Sequence, residues 1–497
     1  MDYKIKGYEP AAVFHYFEEI SAIPRGSGNE KAISDYLAAF AKEHGLAYEV
    51  DEIYNVVIRK TGSSGSESLE PVMLQGHTDM VCEKNHDVAH DFETEGIDIV
   101  QEDGFVRANG TTLGADNGIA VAYMLAILAD DTLTHPPLEC VFTVQEETGL
   151  TGAARLDKTK LCAKTMINLD SEEEGVATVS CAGGLRAELS CDAAEEACGT
   201  AALHIALRGL LGGHSGAEIH LQRGNANKIM ARILYLLSKE VPYQLISLHG
   251  GNKDNAIPRE CDARIALQDD TALAQAKEWL AEKAKQLREE FCPAEADFAV
   301  TVISEEAPAA AVTGEQTKKI VKMLFLAPDG VQKKDMLHDE FVVSSLNLGV
   351  VRLEDGTFRA VFAPRSSVQS LQEEIKEQLT LLGEIFGCTV RYRAEYPGWQ
   401  YAAYSKIRDV FCDMYRKLFH GELKVEAIHA GLECGLFAGA MEGLDAIAVG
   451  PTLRGCHTPD ETMDLQSCVN VWNLLLAVLE ELTKPNRRII YTIVENK

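Results

Sequence analysis

The stretch PVMLQGHTDMV, residues 71–81, runs an apolar segment into His77 and, two residues on, Asp79. Read as a strand, its side chains alternate faces, so His77 and Asp79 leave the strand end on the same side. An imidazole beside a carboxylate at the end of a buried strand is a geometry for holding something. Asp79 then accepts from one ring nitrogen of His77, fixes the tautomer and raises the basicity of the other.

Working outward, PAAVFHYFEEISAI and NEKAISDYLAAFAKEHG have helical spacing, and AYEVDEIYNVVIRK alternates as a strand or hairpin. NGIAVAYMLAILAD reads as a buried helix, LECVFTVQEE and KTMINLD as further strands. Strands alternating with helices predict an α/β sheet. After VATVSCAGG the pattern changes. From about residue 201 to 304 the order is β, helix, β, β, helix, β. From about 315 to 395 it returns without its opening strand, and its first strand is read over EFVVSSLNLGVVRL, 340–353. The expected organisation is a discontinuous α/β domain, residues 1–186 and 398–497, with an inserted α+β lid domain of two related halves over 187–397.

Composition removes several classes of function. The 497 residues carry 47 basic and 76 acidic side chains, a net charge of −29. Such a surface repels phosphate, which argues against nucleic acid and anionic membranes as partners. No apolar run approaches the roughly 18 residues of a membrane span, and MDYKIKGYEP shows no signal-peptide core. Thirteen cysteines without a CxxC pair fit free thiols in a reducing, cytoplasmic setting better than a disulfide framework.

Residues able to bind metal recur where apolar strands of the outer domain end. His77 and Asp79 are followed by Asp116 in TTLGADNG, Glu146 and Glu147 in VFTVQEETG, Asp170 in MINLDSE and His457 in AVGPTLRGCHTPDE. Carboxyl ends of strands form the ligand crevice of α/β sheets. Imidazoles and carboxylates suit zinc, or cobalt and manganese, better than a thiolate structural site. Two histidines with three carboxylates exceed one open catalytic zinc and suit two ions that share a carboxylate and clamp a water. Consecutive glutamates on extended backbone face opposite ways, so one can bind metal while the other serves as base.

The segments GHTDMV, LGADNG, QEETG, NLD and GCHTPDE, with GGHSG, NAIPRE and APRSS inside the insert, resemble the di-zinc metallopeptidase family of aminoacylases, carboxypeptidases and dipeptidases. Their order and spacing over nearly the whole chain are most similar to its dipeptidases. The resemblance implies His77 and Asp170 on one metal, Glu147 and His457 on the other, Asp116 bridging, and a cis peptide bond after it, Asp116–Asn117. It implies Glu146 as general base, Asp79 supporting His77, and hydrolysis of dipeptides with a free N-terminus, Xaa-His (carnosine-like) substrates included. The alternatives are an N-acyl amino acid deacylase or carboxypeptidase on the same scaffold, or a non-catalytic binding homologue.

A lid histidine would stabilise the oxyanion, His220 in EIHLQRGN slightly preferred over His214 in GGHSG. Arg365 in FAPRSS is a candidate clamp for the substrate carboxylate. Asn255 in DNAIPRE could bond the substrate backbone. Glu433 and His429 in HAGLECG are open between pocket and structural roles. Many relatives with a single-unit lid are dimers that lend a lid residue, and a doubled lid would let one chain complete its own site; a homodimer stays open.

Overall fold

The structure, a computed structural model, describes residues 3–338 and 341–484. Met1 and Asp2, and Glu340 where the sequence reading starts a strand, lie outside the described residues. The chain forms two compact units, residues 1–179, 401–426 and 432–497 in the first, 180–400 and 427–431 in the second.

The first unit is built on an eight-stranded sheet in the order Ala47–Val50, Val56–Lys60, Leu138–Thr143, Val72–His77, Thr165–Asn168, Asp445–Ala448, Val176–Cys181, Lys424–Ile428. Leu138–Thr143, Val72–His77, Thr165–Asn168 and Asp445–Ala448 run parallel. Val72–His77 and Leu138–Thr143 are buried throughout, as strands inside a parallel sheet are. Ala47–Val50 and Val56–Lys60 form an antiparallel pair. The helix Ala115–Ala129 is apolar on all sides and almost wholly buried, so it belongs inside the unit and not on its surface. A small antiparallel sheet, Leu453–Arg454, Thr462–Asp464, Phe105–Ala108 and Ile99–Glu102, pins the hairpin that carries His457.

The second unit has one main sheet in the order Ala299–Glu306, Ala201–Arg208, Cys261–Leu267, Tyr243–Gly250, Val342–Glu354, Thr357–Ser366, Gly183–Asp192, Thr389–Tyr396, with Gly330–Lys334 added beside Val342–Glu354. This order explains the opening strand missing from the second half. Counted along the chain, the first half is Ala201–Arg208, helix Ala226–Leu237, Tyr243–Gly250, Cys261–Leu267, helix Asp270–Phe291 and Ala299–Glu306. The second is Gly183–Asp192, helix Gly314–Leu326, Val342–Glu354, Thr357–Ser366, helix Gln369–Phe386 and Thr389–Tyr396. In both halves the sheet order is fourth, first, third, second strand. The whole first half is therefore inserted after the opening strand of the second. The sequence boundary at 186/187 cuts that strand, which lies entirely in the second unit. Glu195–Ala197 pairs with Ala310–Val312 where the chain enters and leaves the first half.

The halves join through Leu248 opposite Leu353 and share one core, including Leu203, Ile205, Ile233, Leu346, Phe358 and Leu379. A polar pin reinforces the seam. Asn225 caps the helix Ala226–Leu237 by accepting from Asn227 N and Lys228 N. Its amide donates to Asp329 Oδ1 at 3.0 Å, and that oxygen also accepts from Leu348 N at 2.8 Å. Replacing Asn225 by Ala removes a cap and strands buried partners. It should lower the stability of this unit by about 2–4 kcal/mol, seen as faster native-state hydrogen exchange in Val342–Glu354. Unchanged protection there would show the pin to be dispensable.

Candidate metal centre

The candidate residues of the first unit arise where its four parallel strands end. His77 is the last residue of Val72–His77 and is buried. Glu146 and Glu147 follow Leu138–Thr143, and Asp170 follows Thr165–Asn168. His457 sits in the hairpin after Asp445–Ala448, on a left-handed residue with φ 66°. Asp116 opens the long buried helix, where its own φ/ψ of −78°, 104° departs from helical values. The Asp116–Asn117 bond is cis.

These side chains converge. His77 Nε2 lies 3.1 Å from Asp116 Oδ1 and 3.5 Å from Asp170 Oδ1. His457 Nε2 lies 3.1 Å from Asp116 Oδ2 and 3.0 Å from Glu147 Oε1. Each oxygen of one carboxylate thus faces a different imidazole. His77–Asp116–Asp170 and Asp116–Glu147–His457 are both groupings able to hold a cation, as is His77–Glu146–Glu147. Donors each 2.0–2.1 Å from a tetrahedral ion are about 3.4 Å apart, so the donor set and its spacing fit a pair of divalent ions. Glu172 and Cys456 also approach Asp116, a grouping the sequence reading did not include.

Charge explains the side-chain chemistry. Burial opposes charge on His77, but Asp170 and Asp116 outweigh it and lift its pKa well above the ordinary value. Burial likewise opposes ionisation of Asp116, yet His457 and His77 hold its carboxyl well below the usual range. Hydrogen bonds to Asp116 and Glu147 push His457 up to about 11. Burial lifts Glu146 well above the ordinary carboxylate value, a shift that suits a group asked to take up a proton.

The support is as ordered as the cluster. His77 Nδ1 is 3.1 Å from the carbonyl oxygen of Asp79 and 3.5 Å from its carboxylate. The carboxylate of Asp79 accepts from Ser27 Oγ at 2.7 Å, Glu146 N at 3.0 Å and Glu147 N at 3.3 Å. It therefore orients both the histidine and the glutamate pair. Two further residues escape sequence reasoning. Glu461 accepts from the backbone N–H groups of Leu113, Gly114, Ala115 and Asp116 at 2.8–3.3 Å, an anion held at a helix start. Buried Arg25 donates to Thr78 O at 3.0 Å and Gly114 O at 2.6 Å, tying the segment after His77 to the turn before Asp116. Their available signals are thin: Glu461 follows His457 by four residues, and Arg25 sits in a loop after a helix.

Glu433, left open by the sequence, is wholly buried in the first unit. It accepts from Thr143 Oγ1 at 2.7 Å and from Gln75 Nε2, two side chains of the strands that carry the site, which favours the structural role.

The remaining candidates belong to the second unit. His214 Nδ1 accepts from Ala217 N at 2.9 Å and Gly216 N at 3.3 Å, which places its proton on Nε2. Burial and then the charge of Arg365 lower its pKa, keeping the ring neutral. His220 lies exposed in the short turn Ile219–Leu221. Asn255 and Arg365 line a common cavity with Tyr396. Arg365 is 9% exposed, and no carboxylate pairs with it among the described residues. His429 is held by Ser345 Oγ at 2.7 Å.

Comparison with known proteins agrees with this chemistry. Peptidase family M20/M25/M40 matches residues 73–481. The chain is 37% identical over 475 residues to the cytosol non-specific dipeptidase of Escherichia coli (strain K12), covering 95% of this chain and 98% of that protein. The crystal structure of aminoacylhistidine dipeptidase from Vibrio alginolyticus superposes with TM-score 0.91 at 34% identity, over 97% of this chain and 98% of that one. Aminopeptidase PepT from Bacillus cereus shares the fold, with TM-score 0.55 at 15% identity over 96% of this chain and all of that one. Matched along most of its length, the chain belongs to peptidase family M20/M25/M40.

Proposed function

We propose that this chain is a metal-dependent dipeptidase that hydrolyses dipeptides with a free N-terminus, Xaa-His substrates included. The observation that carries the reading is Asp116, one carboxylate with an oxygen 3.1 Å from each of two imidazoles. The names of the two similar proteins, a cytosol non-specific dipeptidase and an aminoacylhistidine dipeptidase, support the substrate class. His77 and Asp170 would hold one divalent ion, Glu147 and His457 the other, with Asp116 shared. Zinc is the first choice for this donor set, cobalt and manganese the alternatives.

When bound, such an ion pair polarises the scissile carbonyl and acidifies the attacking water. The chain supplies the rest. Glu146 takes the water's proton and returns it to the leaving amine. Asp79 keeps His77 in one tautomer and holds the backbone of Glu146 and Glu147. His214 offers a neutral Nε2–H donor for the developing oxyanion, and its hydrogen bonding favours it over His220. Arg365, a buried cation with no carboxylate partner among the described residues, takes the substrate's carboxylate, and Asn255 bonds its backbone. Thirteen free cysteines and the name of the similar E. coli protein, a cytosol dipeptidase, support a cytoplasmic setting.

The glutamate's role is separable from metal binding. Glu146→Gln should lower kcat by about 10²–10⁴-fold while metal content by elemental analysis stays unchanged. Retained activity would exclude it as the base. A panel of dipeptides, tripeptides and N-acetyl amino acids separates the dipeptidase from a deacylase or carboxypeptidase, and cleavage of N-acetyl substrates alone would overturn the proposed class.

Chelation should abolish hydrolysis, and zinc, cobalt or manganese should restore it. With His77 raised well above its ordinary value and His457 near 11, both rings carry protons at neutral pH in chelated protein. Ligation requires neutral imidazole, so metal uptake should release about two protons and strengthen as pH rises. Calorimetry in buffers of different ionisation enthalpy measures this. A heat independent of buffer would remove the two histidines from the ligand set.

A further inference from the structure

Arg365 stands in a row of three cross-strand neighbours in the second unit. It lies opposite Gly184 on the strand Gly183–Asp192. Tyr396 lies opposite Gly184 from the other side. The middle member has no side chain, so the outer two meet above it: Arg365 Nη1 donates to Tyr396 Oη at 3.1 Å.

This row depends on a fault in the ladder. Arg393 faces Arg186, and the register then slips by one residue before Tyr396 reaches Gly184. The slip occurs at Ala394, which takes φ 52°, a left-handed conformation that alanine adopts only at a cost. Kept in step, the strand would set Glu395 opposite Gly184, a carboxylate in place of a phenol. The extra residue instead sends Glu395 to Lys376 Nζ at 2.9 Å and Gln372 Nε2 at 3.3 Å. Bulges of this kind re-aim side chains beside functional sites. Two glycines make room for the re-aimed ring. A Cβ at Gly184 would lie 2.7 Å from Tyr396 Oη, and one at Gly431 2.9 Å from Tyr396 Cε2.

The chemistry of the choice is specific. A carboxylate beside Arg365 would neutralise it and occupy its fork. A phenol oxygen accepts one N–H, fixes the plane of the guanidinium, and leaves the charge and the other donors uncommitted. Arg365 Nε is buried without a partner, a donor that a bound anion would satisfy. We propose that Tyr396 is a positioning residue for Arg365, a neutral acceptor that presets the guanidinium for the carboxylate of the substrate and thereby sharpens selection for a free C-terminus. The inference rests on the reading of Arg365 as the carboxylate clamp.

The test compares a dipeptide with its C-terminal amide on wild-type, Tyr396→Phe, Gly184→Ala and Arg365→Met enzymes. Tyr396→Phe should raise KM for the dipeptide about 10-fold, leave kcat within about twofold and leave the amide unaffected. Gly184→Ala, which presses a methyl on the phenol, should move the same parameter in the same direction. If Arg365→Met leaves the preference for acid over amide intact, the clamp itself is wrong. If Arg365→Met erases the preference for acid over amide and Tyr396→Phe does not weaken it, the clamp stands and the positioning role is overturned. Equal losses on acid and amide in Tyr396→Phe would show a merely structural ring. Far-UV circular dichroism and the melting midpoint check that each variant is folded.

Discussion

Asp116 must face two imidazoles at once, and the first unit is arranged around that requirement. A carboxylate can do this only if its backbone is held where a free helix end would fray. Glu461 supplies the hold by gathering four consecutive N–H groups just ahead of the helix. Glu461 and His457 ride on the same hairpin, Leu453–Asp464. The segment that delivers one imidazole to Asp116 therefore also fixes the position of Asp116. Arg25 repeats the logic on the other side, coupling the segment after His77 to the same turn. The spacing of the site is set by these paired anchors and not by the ligand side chains alone.

The second unit uses charge in the opposite sense. In the first, excess carboxylate surrounds two imidazoles and calls for cations. In the second, a buried guanidinium is kept from the acidic side chains around it, although the chain as a whole carries a charge of −29. Keeping this arginine clear of any carboxylate among the described residues takes positional work in so acidic a protein, visible in the diversion of Glu395 to Lys376. An uncompensated buried charge is costly, and such cost is commonly met at sites that bind an opposite charge.

How much of this the sequence discloses depends on where the signal resides. His77, Glu147, Asp170 and His457 are legible because each follows an apolar strand, a local pattern. Asp116 is legible because glycines flank it before an apolar helix. Arg25 and Glu461 look like ordinary loop charges, since their burial comes from contacts 53 to 348 residues away. The choice between His214 and His220 turns on two backbone donors to a ring nitrogen, which no spacing rule reports. The strand order of the second unit is half visible. Element order shows a repeat, but its first strand lies before the other copy and so cannot be found by scanning forward.

That interleaving has a consequence for how such a chain can change. The short ribbon Glu195–Ala197 with Ala310–Val312 brings the entry and exit of the first half together. Everything between them hangs from one neck, while the ladder of the second half passes from Gly183–Asp192 to Thr357–Ser366 without crossing it. A lineage can thus acquire or shed an entire copy at a single splice point. The edge left behind would be the Val351–Leu353 end of Val342–Glu354, whose other end Gly330–Lys334 already covers, so the solitary form would need another surface, such as a twin molecule, to cover it.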